Sequence, residues 1–388
     1  VDITQLLKVM ADRGASDLFI TAGARPSIKV DGTIKALTKE SLKPVQAREL
    51  TFSTMNDKQL AEFEGTHECN FAISAHGIGR FRVSAFFQRN SPGMVLRRIN
   101  TYIPSMEELN LPSVLKDLAM TKRGLILFVG GTSTGKSTSL ASMIDYRNAN
   151  SAGHIITIED PIEYVHEHKQ SVITQREVGL DTESFEIALK NTLRQAPDVI
   201  LMGEIRSSDT MGYGLTFAET GHLCMATLHA NNANQALDRI ISFFPPAHHS
   251  QIWMDLSLNL KAIVAQQLLP TKDGKGRRAV VEVMINTPLM QDLIRKGEVH
   301  EMKEVMSKST NLGMQTFDQA LFQEYKDGTI SYDVALAHAD SPNDLRLMIK
   351  LNAATNPELD GGTEDSGFYL QDDTDFLQND GVVDVKGM

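Results

Sequence analysis

Gly130-Gly-Thr-Ser-Thr-Gly-Lys-Ser137 places glycines, a lysine and a hydroxyl at the spacing G-x-x-x-x-G-K-[ST], and Thr138 follows. In a chain of this length and ordinary composition, chance produces that pattern in about one sequence in a hundred. Each residue type has a physical task. Glycines let the backbone wrap so that successive N–H groups point at phosphate oxygens. A helix beginning near Lys136 adds the positive end of its dipole. Lys136 then bridges the β- and γ-phosphates, and the Ser137 hydroxyl ligates Mg²⁺. The expected cofactors are ATP and Mg²⁺, cradled by Gly130, Gly131, Thr132, Ser133, Thr134, Gly135, Lys136, Ser137 and Thr138. The bland alternative is a glycine-rich turn with an incidental lysine. Against it stand an apolar strand-like run before the loop and a helical pattern after it, Leu140, Met143 and Ile144.

Hydrolysis further requires carboxylates near the metal and the attacking water. Glu204 follows the apolar run Val199–Met202 and Gly203, so a buried strand delivers it to the edge of a sheet, where a second Mg²⁺ ligand belongs. Glu163 closes Ile158-Glu-Asp-Pro-Ile-Glu163, an acid-rich segment directly after another strand-like run, with Pro161 fixing a turn. The alternative for both is an ordinary loop acid. His222 and His229 bracket Leu223–Leu228, one strand long, beside Thr220 and Thr227. Strand-end histidines are commonly structural; these two also suit reading a γ-phosphate or a neighbouring subunit.

Such groups need a scaffold. Gly124–Val129 is a continuous apolar run bounded by glycines, which suits a strand buried on both faces of a parallel sheet. His154–Ile158, Val199–Met202 and Leu223–Thr227 read as further core strands, with helices between them, the βαβ alternation of an α/β domain. After Phe244-Pro-Pro246 the pattern turns helical: Ile252, Leu256, Leu260, Ile263 and Val264 share one stripe, and residues 288–350 suit two or three more amphipathic helices. Residues 1–100 read as a separate small α/β unit. Ile3, Leu6, Leu7 and Met10 have helical spacing, and Leu18–Thr21 and Ile28–Val30 are strand-like, with an Asp31-Gly32 hairpin signal. Phe81, Val83 and Ala85 alternate with Arg80, Arg82 and Ser84, which puts two arginines on one strand face, and Met94–Leu96 reads as the partner strand running to Arg97. Pro104 and Pro112, around a short polar helix, mark 101–117 as a linker. The expected division is therefore 1–100, 101–117, an ATPase core over 118–285, a helical part over 286–351 and a tail over 352–388.

The 388 residues suit two or three domains. Of the net charge of −11, residues 356–388 carry nine acids and one base, a net of −8. That tail has few large apolar residues and is expected to be disordered, although Phe368-Tyr-Leu370 and Phe376-Leu377 could anchor a basic partner. Neither part is basic, so no nucleic-acid partner is expected. No apolar run approaches the ~18–20 residues of a bilayer span, so no membrane insertion is expected. The first thirty residues hold Asp2, Asp12 and Asp17 and no apolar block with a cleavage site, so no signal peptide is expected. Two distant cysteines, Cys69 and Cys224, exclude a disulfide framework or a Cys-x-x-Cys zinc site and fit a cytoplasmic setting.

Taken in order, the glycine loop, the acidic segment Ile158–Glu163, Leu193-Arg194-x-x-Pro197-Asp198, Gly203-Glu204-Ile205-Arg206 and Thr220-Gly221-His222 with Thr227-Leu228-His229 resemble the secretion ATPase superfamily of type II secretion and type IV pili. The likeness spans roughly residues 1–345 and is nearest to the pilus-retraction branch, the PilT/PilU ATPases. The resemblance implies a PAS-like N-terminal α/β domain, a RecA-like P-loop ATPase domain with a helical C-terminal part, and a homo-hexamer. It implies that Glu163 orients or deprotonates the attacking water, that Glu204 is the Walker B acid, that His222 and His229 are the box histidines, and that Arg80, Arg82 and Arg97 offer arginines to a nucleotide. It implies pilus retraction at the inner face of the cytoplasmic membrane, with a PilT-type ATPase and a PilC-type platform protein as partners. Extension and secretion members usually carry a further N-terminal domain and a four-cysteine zinc element; neither is read here.

Several departures matter. Ser133 stands where the retraction pattern has glycine, which reshapes nucleotide binding if the position needs positive φ. Ser207 stands where the family usually has aspartate after Arg206, and Leu289–Lys296 differs from the PilT-type helix. With the acidic extension, these favour the accessory, PilU type. The alternatives are an ATP-binding regulatory subunit with poor turnover and a RecA-type nucleic-acid translocase.

Overall fold

Two kinds of apolar pattern build two kinds of sheet. In the computed structural model, which describes residues 2–30, 32–99 and 101–355, the period-two alternation at Phe81, Val83 and Ala85 forms half-buried antiparallel strands, and the continuous runs form strands covered on both faces. Of the expected disordered tail, residues 352–355 instead close the helix Pro342–Thr355, and the remainder with its apolar anchors lies outside the described residues.

The first sheet contains β1 (Asp17–Ile20), β2 (Ser27–Val30), β3 (Thr33–Ala36), β4 (Glu68–Ala75), β5 (Gly79–Gln88) and β6 (Ser91–Arg98), in the order β3-β2-β1-β6-β5-β4. Every pairing in it is antiparallel. Helices Ile3–Asp12, Pro44–Phe52 and Asp57–Thr66 supply Leu6, Met10, Leu50 and Phe63 to a core shared with Phe81 and Val83 of β5. One face of β5 is thus buried, and Arg80 and Arg82 stand on the other.

The second sheet contains β7 (Gly124–Val129), β8 (His154–Glu159), β9 (Val172–Glu177), β10 (Val199–Met202), β11 (Leu223–Leu228), β12 (Leu260–Pro270) and β13 (Arg277–Ile285), in the order β13-β12-β7-β11-β10-β8-β9. All neighbours are parallel except β12 and β13. β7 shows why its sequence is continuously apolar. Leu125, Leu127 and Val129 enter one core, while Ile126 and Phe128 enter a second on the opposite face. Each such side chain contributes roughly 1.5–3 kcal/mol by leaving water.

Three local expectations change. The stripe through Leu260, Ile263 and Val264 is strand rather than helix: the helix ends at Asn259, and Leu260 opens β12 beside β7. Helical spacing and a doubly buried strand cannot be separated in a short apolar run by periodicity alone. Residues 288–350 hold five helices, Pro288–Lys296, Met302–Lys308, Phe317–Lys326, Tyr332–Ala337 and Pro342–Thr355, not two or three. N-caps at Thr287, Thr316 and Ser331 and the left-handed Gly297 punctuate them. The segment expected as a linker is packed: Met106, Leu111 and Leu115 join the second sheet's core, and its helix is Val114–Ala119.

Candidate active site

The glycine loop leaves the end of β7 and enters helix Lys136–Asn150. Gly135 has φ +88°, and a β-carbon there would stand 2.7 Å from Nε2 of Gln266. Ser133 has φ +62°, so the family's glycine position does take left-handed backbone here, on a residue with a side chain. Gln266 of β12, only 2% exposed, braces the loop: its Nε2 donates to the Thr134 carbonyl at 2.8 Å, and its Oε1 accepts from the Ser139 hydroxyl at 2.8 Å. Lys136 is 9% exposed and donates to the carbonyls of Gly130 at 2.9 Å and Gly131 at 2.6 Å. Burial lowers its pKa, and the negative charges of Glu204 and Glu163 oppose that shift. Those two carboxylates are therefore the charges that this ammonium senses.

All three groups line one pocket of roughly 240 Å³ at the carboxyl edge of the parallel strands, together with Ser137, Glu159 and His229. Glu204 lies just beyond β10. Its Oε2 accepts from Arg206 Nε at 2.7 Å, and its Oε1 lies 3.1 Å from His229 Nε2, beyond the end of β11. Gly203 lets the end of β10 lie close against β8, since a β-carbon there would press within 3.2 Å of the Glu159 backbone. Glu163 presents an exposed carboxylate from the loop after β8. That loop is tied down on both sides of it. Ile162 N–H donates to Glu177 Oε2 at 3.2 Å, and the Tyr164 hydroxyl meets the Thr138 hydroxyl at 2.8 Å.

Glu159, at the end of β8, differs from its neighbours. Burial pushes its carboxyl up to about 7, against hydrogen bonds from Thr157 at 2.6 Å and Gln175 at 3.3 Å that favour the charged form. His166, also lining the pocket, is held neutral, burial pulling its imidazole down to about 4. The arrangement thus provides a phosphate cradle, an exposed carboxylate beside it, and an acid that titrates near neutrality.

Not every expected residue converges. His222 precedes β11 while His229 follows it. A six-residue strand spans about 20 Å, so the two histidines bracketing it stand at opposite sheet edges. His222 instead meets the Thr220 hydroxyl at 3.1 Å and the Phe217 carbonyl at 3.2 Å. Arg80, Arg82 and Arg97 also lie outside the pocket. Arg97 donates to Asp17 at 2.8 Å, and Arg82 to Glu177 at 3.3 Å.

Sequence reasoning passed over Glu159, Tyr164, Glu177, Arg206 and Gln266. Glu159 and Arg206 lie inside motifs already singled out. Gln266-Gln267 interrupts an apolar run, and polar residues inside a buried strand are the signal that could have flagged Gln266. Among the described residues, no group of three or more His, Cys, Asp or Glu could hold a metal by itself. No described helix is long and apolar enough to cross a membrane.

The sequence profile of the Type II/IV secretion system protein family matches residues 2–332. The chain is similar to the type IV pilus ATPase PilU of Pseudomonas aeruginosa, 66% identical over 374 residues that cover 96% of this chain and 98% of that protein. It is 42% identical to the type IV pilus retractation ATPase PilT of the same organism, over 88% of this chain and 99% of that one. Among solved structures it resembles that of the pilus retraction motor PilT with bound ADP, with a TM-score of 0.84 and 40% identity, covering 90% of this chain and all of that one.

Proposed function

We propose that this chain, which belongs to the Type II/IV secretion system protein family, is a type IV pilus ATPase of the PilU type that couples ATP hydrolysis to pilus retraction. The observation that carries the reading is the convergence of Lys136, Ser137, Glu163, Glu204 and His229 on one pocket behind a glycine loop. Lys136 and the loop N–H groups hold the phosphates. Glu163 orients the attacking water and takes its proton, and Glu204 holds His229 and Arg206 at the pocket wall. Mg²⁺ fits this donor set: a hydroxyl at Ser137 and a carboxylate at Glu204, few enough to leave sites for phosphate oxygens and water. When bound it would neutralise charge developing on the transferred phosphoryl group.

The assembly forms part of the same reading. Arg80 and Arg97 lie outside the pocket of their own chain, which suits a homo-hexamer in which such groups act across subunit boundaries. We place the protein at the cytoplasmic face of the inner membrane, beside a PilT-type ATPase and a PilC-type platform protein, as an accessory motor. Ser133 favours a second reading, a nucleotide-holding subunit with slow turnover, because left-handed backbone disfavours a side chain.

Phosphate release by the purified protein with Mg·ATP tests both. Rapid release, lost in Lys136→Ala and Glu204→Ala, supports the motor, and undiminished release in those variants removes the site assignment. Tight nucleotide binding with negligible release in the wild type supports the second reading.

A further inference from the structure

The segment carrying Glu163 is gripped from two directions. On the nucleotide side, the Tyr164 hydroxyl bonds Thr138, one residue past Ser137. On the other side stands Glu177, at the end of β9 and 3% exposed. One of its oxygens, Oε2, accepts from the N–H of Ile162, the residue before Glu163. The other, Oε1, accepts from Nη2 of Arg82, which belongs to the six-stranded sheet. A single buried carboxylate thus joins the first sheet to the peptide beside Glu163.

Glu177 is itself held firmly. It pairs with Glu159 in the β8–β9 ladder, and its N–H donates to Asp181 Oδ2 at 2.8 Å. The turn beyond it, closed by N–H bonds from Leu180 and Asp181 to the Glu177 carbonyl, packs Leu180 against the first sheet's core. A buried carboxylate that loses its cation is left with an uncompensated charge. Withdrawal of the first sheet removes that cation and opens Glu177 to water, which then competes for the carboxylate that holds the Ile162 N–H.

We propose that Glu177 is a positioning residue that transmits the position of the six-stranded sheet, through Arg82, to the Ile162–Glu163 peptide, and so sets where Glu163 stands over the phosphates. Nucleotide binding and the domain angle then meet at one loop: Tyr164 reports on the phosphate-binding helix and Glu177 on the first sheet. The proposal rests on Glu163 acting on the attacking water.

The test is steady-state ATP hydrolysis by the full chain, paired with the Kd of a non-hydrolysable ATP analogue. Glu177→Ala is expected to lower kcat about tenfold or more and to shift Kd by less than about twofold, because the glycine loop, Lys136 and Ser137 are untouched. The isosteric Glu177→Gln keeps the fold under test should the alanine variant not fold, and is expected to show the same split on a smaller scale. Arg82→Gln is expected to lower kcat less, with rescue in Arg82→Lys, and the double variant Arg82→Gln/Glu177→Ala to be no slower than Glu177→Ala alone. Equal losses in kcat and affinity would make Glu177 merely structural, and additive losses would give Arg82 a separate task; either overturns the proposal. Glu163→Gln separates the two levels. Wild-type turnover in that variant overturns the role of Glu163 and the proposal with it, whereas normal kcat in Glu177→Ala beside an inactive Glu163→Gln overturns the proposal alone.

Discussion

The two edges of the seven-stranded sheet are built from the same parallel strands yet treat their polar groups differently. At the carboxyl edge, titratable side chains face one another: Glu204 meets Arg206 and His229, and Lys136 senses Glu204 and Glu163. At the amino edge, the polar groups serve the backbone. Arg147 donates to the carbonyls of Ala119 at 2.7 Å and Thr121 at 2.8 Å, Asp198 accepts from the His154 N–H at 2.8 Å, and His222 meets the Phe217 carbonyl. A cavity opens at that edge too, lined by Lys122, Arg147, Asp198 and His222. What separates the edges is that an acid pairs directly with bases at the carboxyl edge, Glu204 with Arg206 and His229, whereas the Arg147 and Asp198 side chains at the amino edge bond backbone groups.

That contrast can be broken by substitution. Lys136→Ala is expected to lower kcat by about 10²–10³-fold with little change in melting temperature; a matching collapse of stability would erase the distinction. Glu159 links the carboxyl edge to pH. Its carboxyl titrates at about 7 in the fold against 4.5 ordinarily, so the folded protein holds the proton more tightly. Its stabilising contribution is complete below about pH 4.5 and is lost as pH rises through about 7, a total of about 3 kcal/mol. Denaturant titrations across that range should show this slope in the wild type and its disappearance in Glu159→Gln. Arg147→Met should cost about 2 kcal/mol of stability, the worth of a charged donor on two carbonyls, while analogue affinity stays as in the wild type. Ser133→Gly should gain about 0.5 kcal/mol, relief of left-handed strain offset by the freedom of glycine in the unfolded chain, seen as a raised melting temperature and tighter nucleotide binding. The smallest effect belongs to His222→Ala, whose analogue affinity should stay within about twofold of wild type; a tenfold loss would bring that residue to the nucleotide after all.

Much of the fold was legible because its signals are local. β7, β8, β10 and β11 were readable as apolar runs bounded by glycine, acid or histidine, and β5 as an alternation. β12 was misread because the pairing that makes it a strand comes from β7 and β13, more than a hundred residues upstream and a few residues downstream respectively. The same limit applies at the site. Two histidines seven residues apart look like a pair in sequence, and the rise of one strand separates them in space.

By itself the sequence determined the chemistry: a glycine loop ending in Lys136-Ser137, acids after apolar strands, and a serine, Ser133, inside the glycine loop. These follow from residue type and near neighbours, where dihedral preference and side-chain reach act over a few residues. Only the tertiary structure decided which acid is pushed toward neutrality, that Gln266 braces the loop, and that Arg82 reaches Glu177 rather than its own chain's phosphate pocket. Desolvation and ion pairing depend on what the fold brings within a few ångströms, and residues 82 and 177 meet only because two sheets pack together.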